Sequence, residues 1–121
     1  MSAVGPISEV ILYAADIDRL TAFYVDVLGL DVAAGSPDSG FVRFDAGRCD
    51  LCVHAGGERD SDETAPKVVF SVDDVEAARD RLRSEGVELG DIREPAPGTR
   101  VCDGVDPEGN KFSLESTVSE A

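Results

Sequence analysis

The stretch KVVFSVDDVEAARD, residues 67–80, decides the fold, because the chain has already written it once, as EVILYAADIDRLTA over residues 9–22. Each copy opens on a run of Val, Ile, Leu, Phe or Tyr that suits a strand, then passes an Asp into apolar residues at helical spacing. In the first copy, residues 7–14 read as a strand and Asp16 as a helix N-cap. Ile17, Leu20, Phe23, Tyr24 and Val27 form the apolar stripe, and Gly29 stops the helix. In the second, residues 67–72 read as a strand, and Asp73 with Glu76 as a capping box. Val75, Ala78 and Leu82 make the stripe, Arg79, Arg81 and Arg83 suit the negative end of the helix dipole, and Gly86 ends it.

The pattern after each helix also recurs. Residues 30–34, 41–46 and 49–54 read as three strands, with a turn over residues 35–40 and a hairpin through Gly47. In the second half the corresponding strands are residues 87–89, 99–103 and 111–115. The segment 93–98 is a loop with two prolines, and Asp106-Pro-Glu-Gly-Asn110 is a turn. The unit strand-helix-strand-strand-strand is thus used twice, at an offset of about 58 to 61 residues. The expected boundaries are 5–55 for the first module, 56–66 for a polar linker, 67–116 for the second module and 117–121 for a frayed tail. Neither module can bury both faces of its sheet alone. The expected architecture is therefore α+β, with two βαβββ modules forming a cupped mixed sheet around a cleft and the helices on the outer face.

Composition excludes several functions. The net charge of −14 opposes binding to nucleic-acid phosphates and to anionic membranes. No apolar run is long enough to span a bilayer, and the first ten residues lack a basic region followed by an apolar stretch, so the expected location is cytoplasmic. An acid-rich, lysine-poor surface fits either a salty cytoplasm or ordinary solubility. Three cysteines do not make a disulfide framework. Cys49 and Cys52 have C-x-x-C spacing, but on a strand they point to opposite faces, which suits neither zinc nor a redox pair.

Strand alternation sorts the side chains into two sets. Val10, Leu12, Leu51, Val53, Val68, Phe70, Val72, Phe112 and Leu114 face the helices. The alternate set is more polar: Glu9, Ile11 and Tyr13; Cys52 and His54; Lys67, Val69 and Ser71; Ser113 and Glu115. A sheet face left to water would look similar. Cys49 reads as a small buried hydrophobe, and the parity of Cys102 stays open behind Pro95 and Pro97.

The stretches ADIDRLTAFYVDVLGLDV at 15–32, FSVDDVEAARDRLRSEGVEL at 70–89 and DPEGNKFSLE at 106–115, together with the repeat, resemble the vicinal oxygen chelate superfamily. That group holds glyoxalases, extradiol dioxygenases, fosfomycin-resistance enzymes and bleomycin-binding proteins. The resemblance implies paired βαβββ modules and, in the family's metal enzymes, ligands at four related strand positions. By that resemblance the first-strand positions fall at Glu9 and Lys67, each seven residues before Asp16 or Asp74. The last-strand positions fall at Cys52, with Asp50 as the alternative, and Ser113. An ammonium offers no lone pair to a divalent ion, Ser113 is a weak ligand, and soft Cys52 pairs badly with hard Glu9. The expectation is therefore no metal and no cofactor. Lys67 is expected to neutralise Glu9 across the module interface.

Three functions remain open. The first is a metal-independent small-molecule binding protein of the glyoxalase/bleomycin-resistance type, with Glu9, Tyr13, Arg43, Cys52, His54, Lys67, Ser113 and Glu115 contacting an organic ligand. The second is a lyase, isomerase or dioxygenase with an atypical site, in which Lys67, Glu9 or His54 moves protons. The third is a module for dimerisation or partner binding. A small organic molecule and a second copy of the chain are the expected partners.

Overall fold

Asp16 accepts a hydrogen bond from the backbone N–H of Arg19 at 3.1 Å and so starts the first helix where the sequence places it. A computed structural model of the chain describes residues 7–56 and 66–117. The chain divides into two compact units, residues 1–59 and 60–121.

The first unit runs β1 (Glu9–Ala14), α1 (Ile17–Ala22), a π-helical segment (Phe23–Val27), β2 (Asp31–Ser36), β3 (Phe41–Asp45) and β4 (Asp50–Ala55). Its sheet has the order β1-β4-β3-β2, with β1 parallel to β4 and the other pairs antiparallel. The single helix read from the sequence changes pitch at Phe23. There the N–H of Leu28 reaches back five residues to the Phe23 carbonyl at 3.0 Å. Adjacent Phe23 and Tyr24 are both buried across this widened turn, edge to face at 5.2 Å. Tyr24 then meets Phe44 at 5.8 Å, so the helix layer covers the sheet face that carries Phe44, Val42, Leu51 and Val53. Gly29, at φ 80, takes the left-handed turn that ends the element.

The second unit repeats the plan: β5 (Val68–Ser71), α2 (Val75–Ser84), β6 (Arg93–Ala96), β7 (Thr99–Val105) and β8 (Lys111–Thr117), with sheet order β5-β8-β7-β6. Its core holds Val75 and Leu82 from α2 against Cys102, Phe112 and Leu114. Cys102 pairs with Leu114, which settles its parity on the helix side. Each unit is thus a four-stranded mixed sheet with its helix, and the fold is α+β, built of two βαβββ modules.

Several local expectations are corrected. The cap of α2 is Asp74, whose carboxylate accepts from the Ala77 N–H at 3.2 Å; Asp73 lies one residue too early to reach the third helical amide. Residues 87–89 form no ladder and contribute a single bridge, Leu89 to Gly104. The expected loop at 93–98 is largely strand, because β6 is an edge strand and tolerates Pro95. The second strand extends through Ser36, with a register shift between Val32 and Ala34. Most of the expected linker, and residues 118–121 of the expected tail, lie outside the described residues.

Candidate functional site

Ladder register brings five of the expected site residues onto one face of the first sheet. Glu9 stands opposite Asp50, Ile11 opposite Cys52 and Tyr13 opposite His54. From the other side, Arg43 stands opposite Cys52 and Phe41 opposite His54. Residues two apart share a face, so Glu9, Tyr13, Arg43, Cys52 and His54 all point away from α1, joined by Asp50 and Phe41.

The charged half of this face is tightly connected. Arg43 Nη2 lies 2.9 Å from Glu9 Oε2, and its Nη1 donates to Asp50 Oδ2 at 3.1 Å. The Cys52 thiol donates to the same Glu9 oxygen at 3.1 Å. Cys52 is wholly buried, and that burial, helped by the hydrogen bond to Glu9, pushes the thiol up to about 11. The hydrogen bond to Asp50 raises the guanidinium pKa further, so Arg43 is a fixed cation between two acids.

The other half is aromatic. The His54 ring lies 5.5 Å from Tyr13 and 6.1 Å from Phe41, and the Arg43 guanidinium lies 5.8 Å from the Phe41 centroid. His54 Nδ1 is 2.7 Å from the Ala55 carbonyl oxygen, which can only accept, so Nδ1 carries the proton. Ile11 and Tyr13 are 41% and 48% exposed, leaving apolar surface beside the ion pairs.

In the second unit Lys67 and Ser113 meet through a residue the sequence reading passed over. Asp103 Oδ1 accepts from the Ser113 hydroxyl at 2.6 Å and lies 3.5 Å from Lys67 Nζ, while Oδ2 lies 2.5 Å from Arg93 Nη2. Burial works against charge on Asp103, but Ser113, Lys67 and Arg93 outweigh it and hold the carboxyl below its ordinary range. Glu115 is two residues beyond Ser113 on the same face, opposite Val101 and Ser71. The signal for Asp103 was present: counting back across the Asp106–Asn110 turn sets it opposite Ser113. Counting forward through the prolines hid it.

Equivalent ladder positions in the two units carry opposite charge. Ile11 pairs with Cys52 as Val69 pairs with Ser113, and Arg43 faces Cys52 as Asp103 faces Ser113. Glu9 therefore corresponds to Lys67, Asp50 to Lys111 and Arg43 to Asp103. In the first unit the base Arg43 holds the acids Glu9 and Asp50; in the second the acid Asp103 holds Lys67, and its other cation, Arg93, comes from β6. Within its own unit, Glu9 is met by Arg43 and Lys67 by Asp103.

The chain belongs to the Glyoxalase/Bleomycin resistance protein/Dioxygenase superfamily, whose family model matches residues 6–114. Among solved structures it is similar to a lactoylglutathione lyase from Agrobacterium tumefaciens, at 25% identity and a TM-score of 0.76 over 95% of this chain and 96% of that one. It is similar to TnmS3, an antibiotic binding protein from Streptomyces sp. CB03234, at 22% identity and a TM-score of 0.76 over 98% and 100% of the two chains. A glyoxalase/bleomycin resistance protein/dioxygenase from Nocardioides gives 18% identity and a TM-score of 0.79 over 100% and 89%. No curated protein matches the chain.

The metal that many members of this superfamily use does not fit the residues present. At the family's four positions, Glu9 is already neutralised by Arg43, and Cys52 holds its proton. Lys67 is a cation, and Ser113 spends its hydroxyl on Asp103. Among the described residues no group of three or more His, Cys, Asp or Glu side chains is arranged to hold a metal ion. No described helix is long and apolar enough to cross a membrane.

Proposed function

We propose that the chain is a metal-independent small-molecule binding protein that presents an organic ligand with the open sheet faces opposite its helices. The observation that carries this reading is the Arg43–Glu9–Cys52 contact, which occupies a family metal position with an internal ion pair and a protonated thiol. What remains on the first face is Ile11, Tyr13, Phe41 and His54, a surface suited to flat, partly apolar molecules. Lys67 and Glu115 supply polar contacts on the second, where Ser113 is fully buried and acts by holding Asp103. The solved antibiotic binding protein of the same fold supports the class.

Two measurements test the proposal together. Protein purified without chelator is assayed for bound metal, and aromatic and cationic ligands are titrated with and without added divalent ions. Ligand binding that is indifferent to metal supports the proposal. Stoichiometric metal, or binding that appears only with metal, overturns it.

A second reading is an enzyme, favoured by the likeness to a lactoylglutathione lyase. Its acid or base would be Glu9, Lys67 or His54. The ion pair and the thiol hydrogen bond on Glu9 oppose it, because that carboxylate is already engaged. Turnover of a thiol-adduct panel decides between the readings. Free Cys49, Cys52 and Cys102 support a reducing, cytoplasmic setting. β2 is exposed along its whole length, an edge that a second copy of the chain could cover as a homodimer. Light scattering tests that state.

A further inference from the structure

The second unit carries a cation cluster larger than its anion needs. Asp103 offers two carboxylate oxygens. Oδ1 is shared between the Ser113 hydroxyl at 2.6 Å and the Lys67 ammonium at 3.5 Å, and Oδ2 is taken by Arg93 at 2.5 Å. The Lys67 contact is long because the hydroxyl already holds the better position on Oδ1. The Lys67 and Arg93 side chains are 44% and 53% exposed, so each is about half open to solvent. Among the described residues no other acceptor is recorded for either side chain. Lys111 lies two residues before Ser113 on β8 and therefore on the same face, adding a third cation. The opposing charges there are Asp103 and, further along β8, Glu115.

This arrangement is unusual for a chain with 25 acidic residues against 11 basic ones. Acids are plentiful and cations scarce, yet three of the cations converge on one small sheet face. Asp103 works as a splint: fixed by Ser113 from beneath, it holds Lys67 and Arg93 on its two oxygens, within the span of one small ligand. Arg93 keeps further N–H donors in its planar fork, the geometry that matches a carboxylate by two parallel hydrogen bonds.

We propose that the β5–β8–β7–β6 face of the second unit is a binding site for the carboxylate of a small organic acid, gripped by Lys67 and Arg93 with Asp103 holding both in place. This deepens the small-molecule reading above and rests on it for the face being a ligand surface. The strongly acidic chain repels anions at long range, so the favoured ligand carries a single negative charge.

The test uses 4-fluorobenzoate and its neutral isostere 4-fluorobenzamide, followed by fluorine NMR on the full chain, with amide shifts reporting location. The acid is expected to bind and to perturb the amides around Lys67, Arg93 and Ser113, with the amide probe at least tenfold weaker. K67Q and R93Q are each expected to weaken the acid by about tenfold, the size of a lost charge-assisted hydrogen bond. R81Q, which removes an equal charge from exposed α2, should leave binding unchanged. Both site variants lie at exposed positions, and far-UV circular dichroism checks that they fold. Equal binding of acid and amide overturns the carboxylate site while leaving the small-molecule reading in place. Equal loss in R81Q and R93Q overturns it as well, by reducing the effect to net charge. Failure of the acid to bind at all also overturns it, and failure of every aromatic and cationic ligand besides would remove the broader reading.

Discussion

Arg43 holds Glu9 at 2.9 Å from within the same module, and the ladder position that corresponds to Arg43 in the other module is filled by an acid, Asp103. The two halves of the chain therefore keep one geometry and invert its charges. An inverted pair preserves the local attraction while removing the set of like carboxylates that a divalent ion would need. Four expectations follow from these contacts and from the packing around them.

Replacing Arg43 by Gln leaves Glu9 and Asp50 as like charges on one sheet face, next to a buried thiol. R43Q is expected to lower stability by about 1–3 kcal/mol, the range for a lost hydrogen bond to a charged group. Urea denaturation monitored by circular dichroism measures it. An unchanged midpoint would mean that the three groups are independent.

Cys52 should be silent toward thiol reagents at neutral pH, because its pKa stands at about 11 and its sulfur is buried. Mass-mapped labelling with iodoacetamide should find Cys49 modified first, and modification of Cys52 at a comparable rate would contradict the burial. The same shift has a thermodynamic consequence. The folded thiol keeps its proton to a higher pH than the unfolded one, so the unfolded state binds fewer protons as pH rises through about 9. Stability should fall from there toward pH 11, by roughly 2–3 kcal/mol at most from this group. C52A should lack that limb, which appears as a pH-dependent difference between variant and parent.

Asp103 predicts the opposite limb. Its folded pKa is lowered, so its ionised form stabilises the fold above the ordinary aspartate range of about 3.9. That contribution is lost as pH falls through the lowered folded value. The difference in melting temperature between the parent and D103N should therefore be present at pH 6 and should close on acidification below about 4. A difference that stays constant to pH 2 would show that the ion pairs are not its source.

Gly104 has a packing role that only its neighbours reveal. A Cβ built there would stand 2.7 Å from Leu89 Cδ2, 3.0 Å from Phe112 Cζ and 3.2 Å from the Glu88 carbonyl oxygen. Phe112 is fully buried and cannot move aside freely. G104A is expected to cost about 1–3 kcal/mol by overpacking, seen as a lower thermal midpoint.

The chain itself determined the repeat, and the repeat determined the modules. Asp16, the strand-forming runs at 9–14 and 68–71, and the turn at Asp106 are local signals, set by side-chain sterics and by hydrogen bonds within a few residues. Asp106 is the clearest of these: its carboxylate accepts from the Glu108 and Asn110 N–H groups at 2.9 and 2.8 Å, all within one turn. Strand alternation by itself likewise puts Glu9, Tyr13, Cys52 and His54 in one set. The π-helical turn at Phe23 was not legible, because it depends on two adjacent rings, Phe23 and Tyr24, both being buried, with Tyr24 against Phe44 from a distant strand.

Tertiary structure alone decided which charge meets which. An ion pair depends on ladder register between strands distant in sequence, and a shift of one residue sends a side chain to the other face. Glu9 could be assigned to a face from its own strand, but its partner depended on β4 lying between β1 and β3, which brings Arg43 within reach. Asp103 became the centre of the second cluster for the same reason: Lys67, Arg93 and Ser113 come from separate segments, and only the assembled sheet sets all three on one carboxylate.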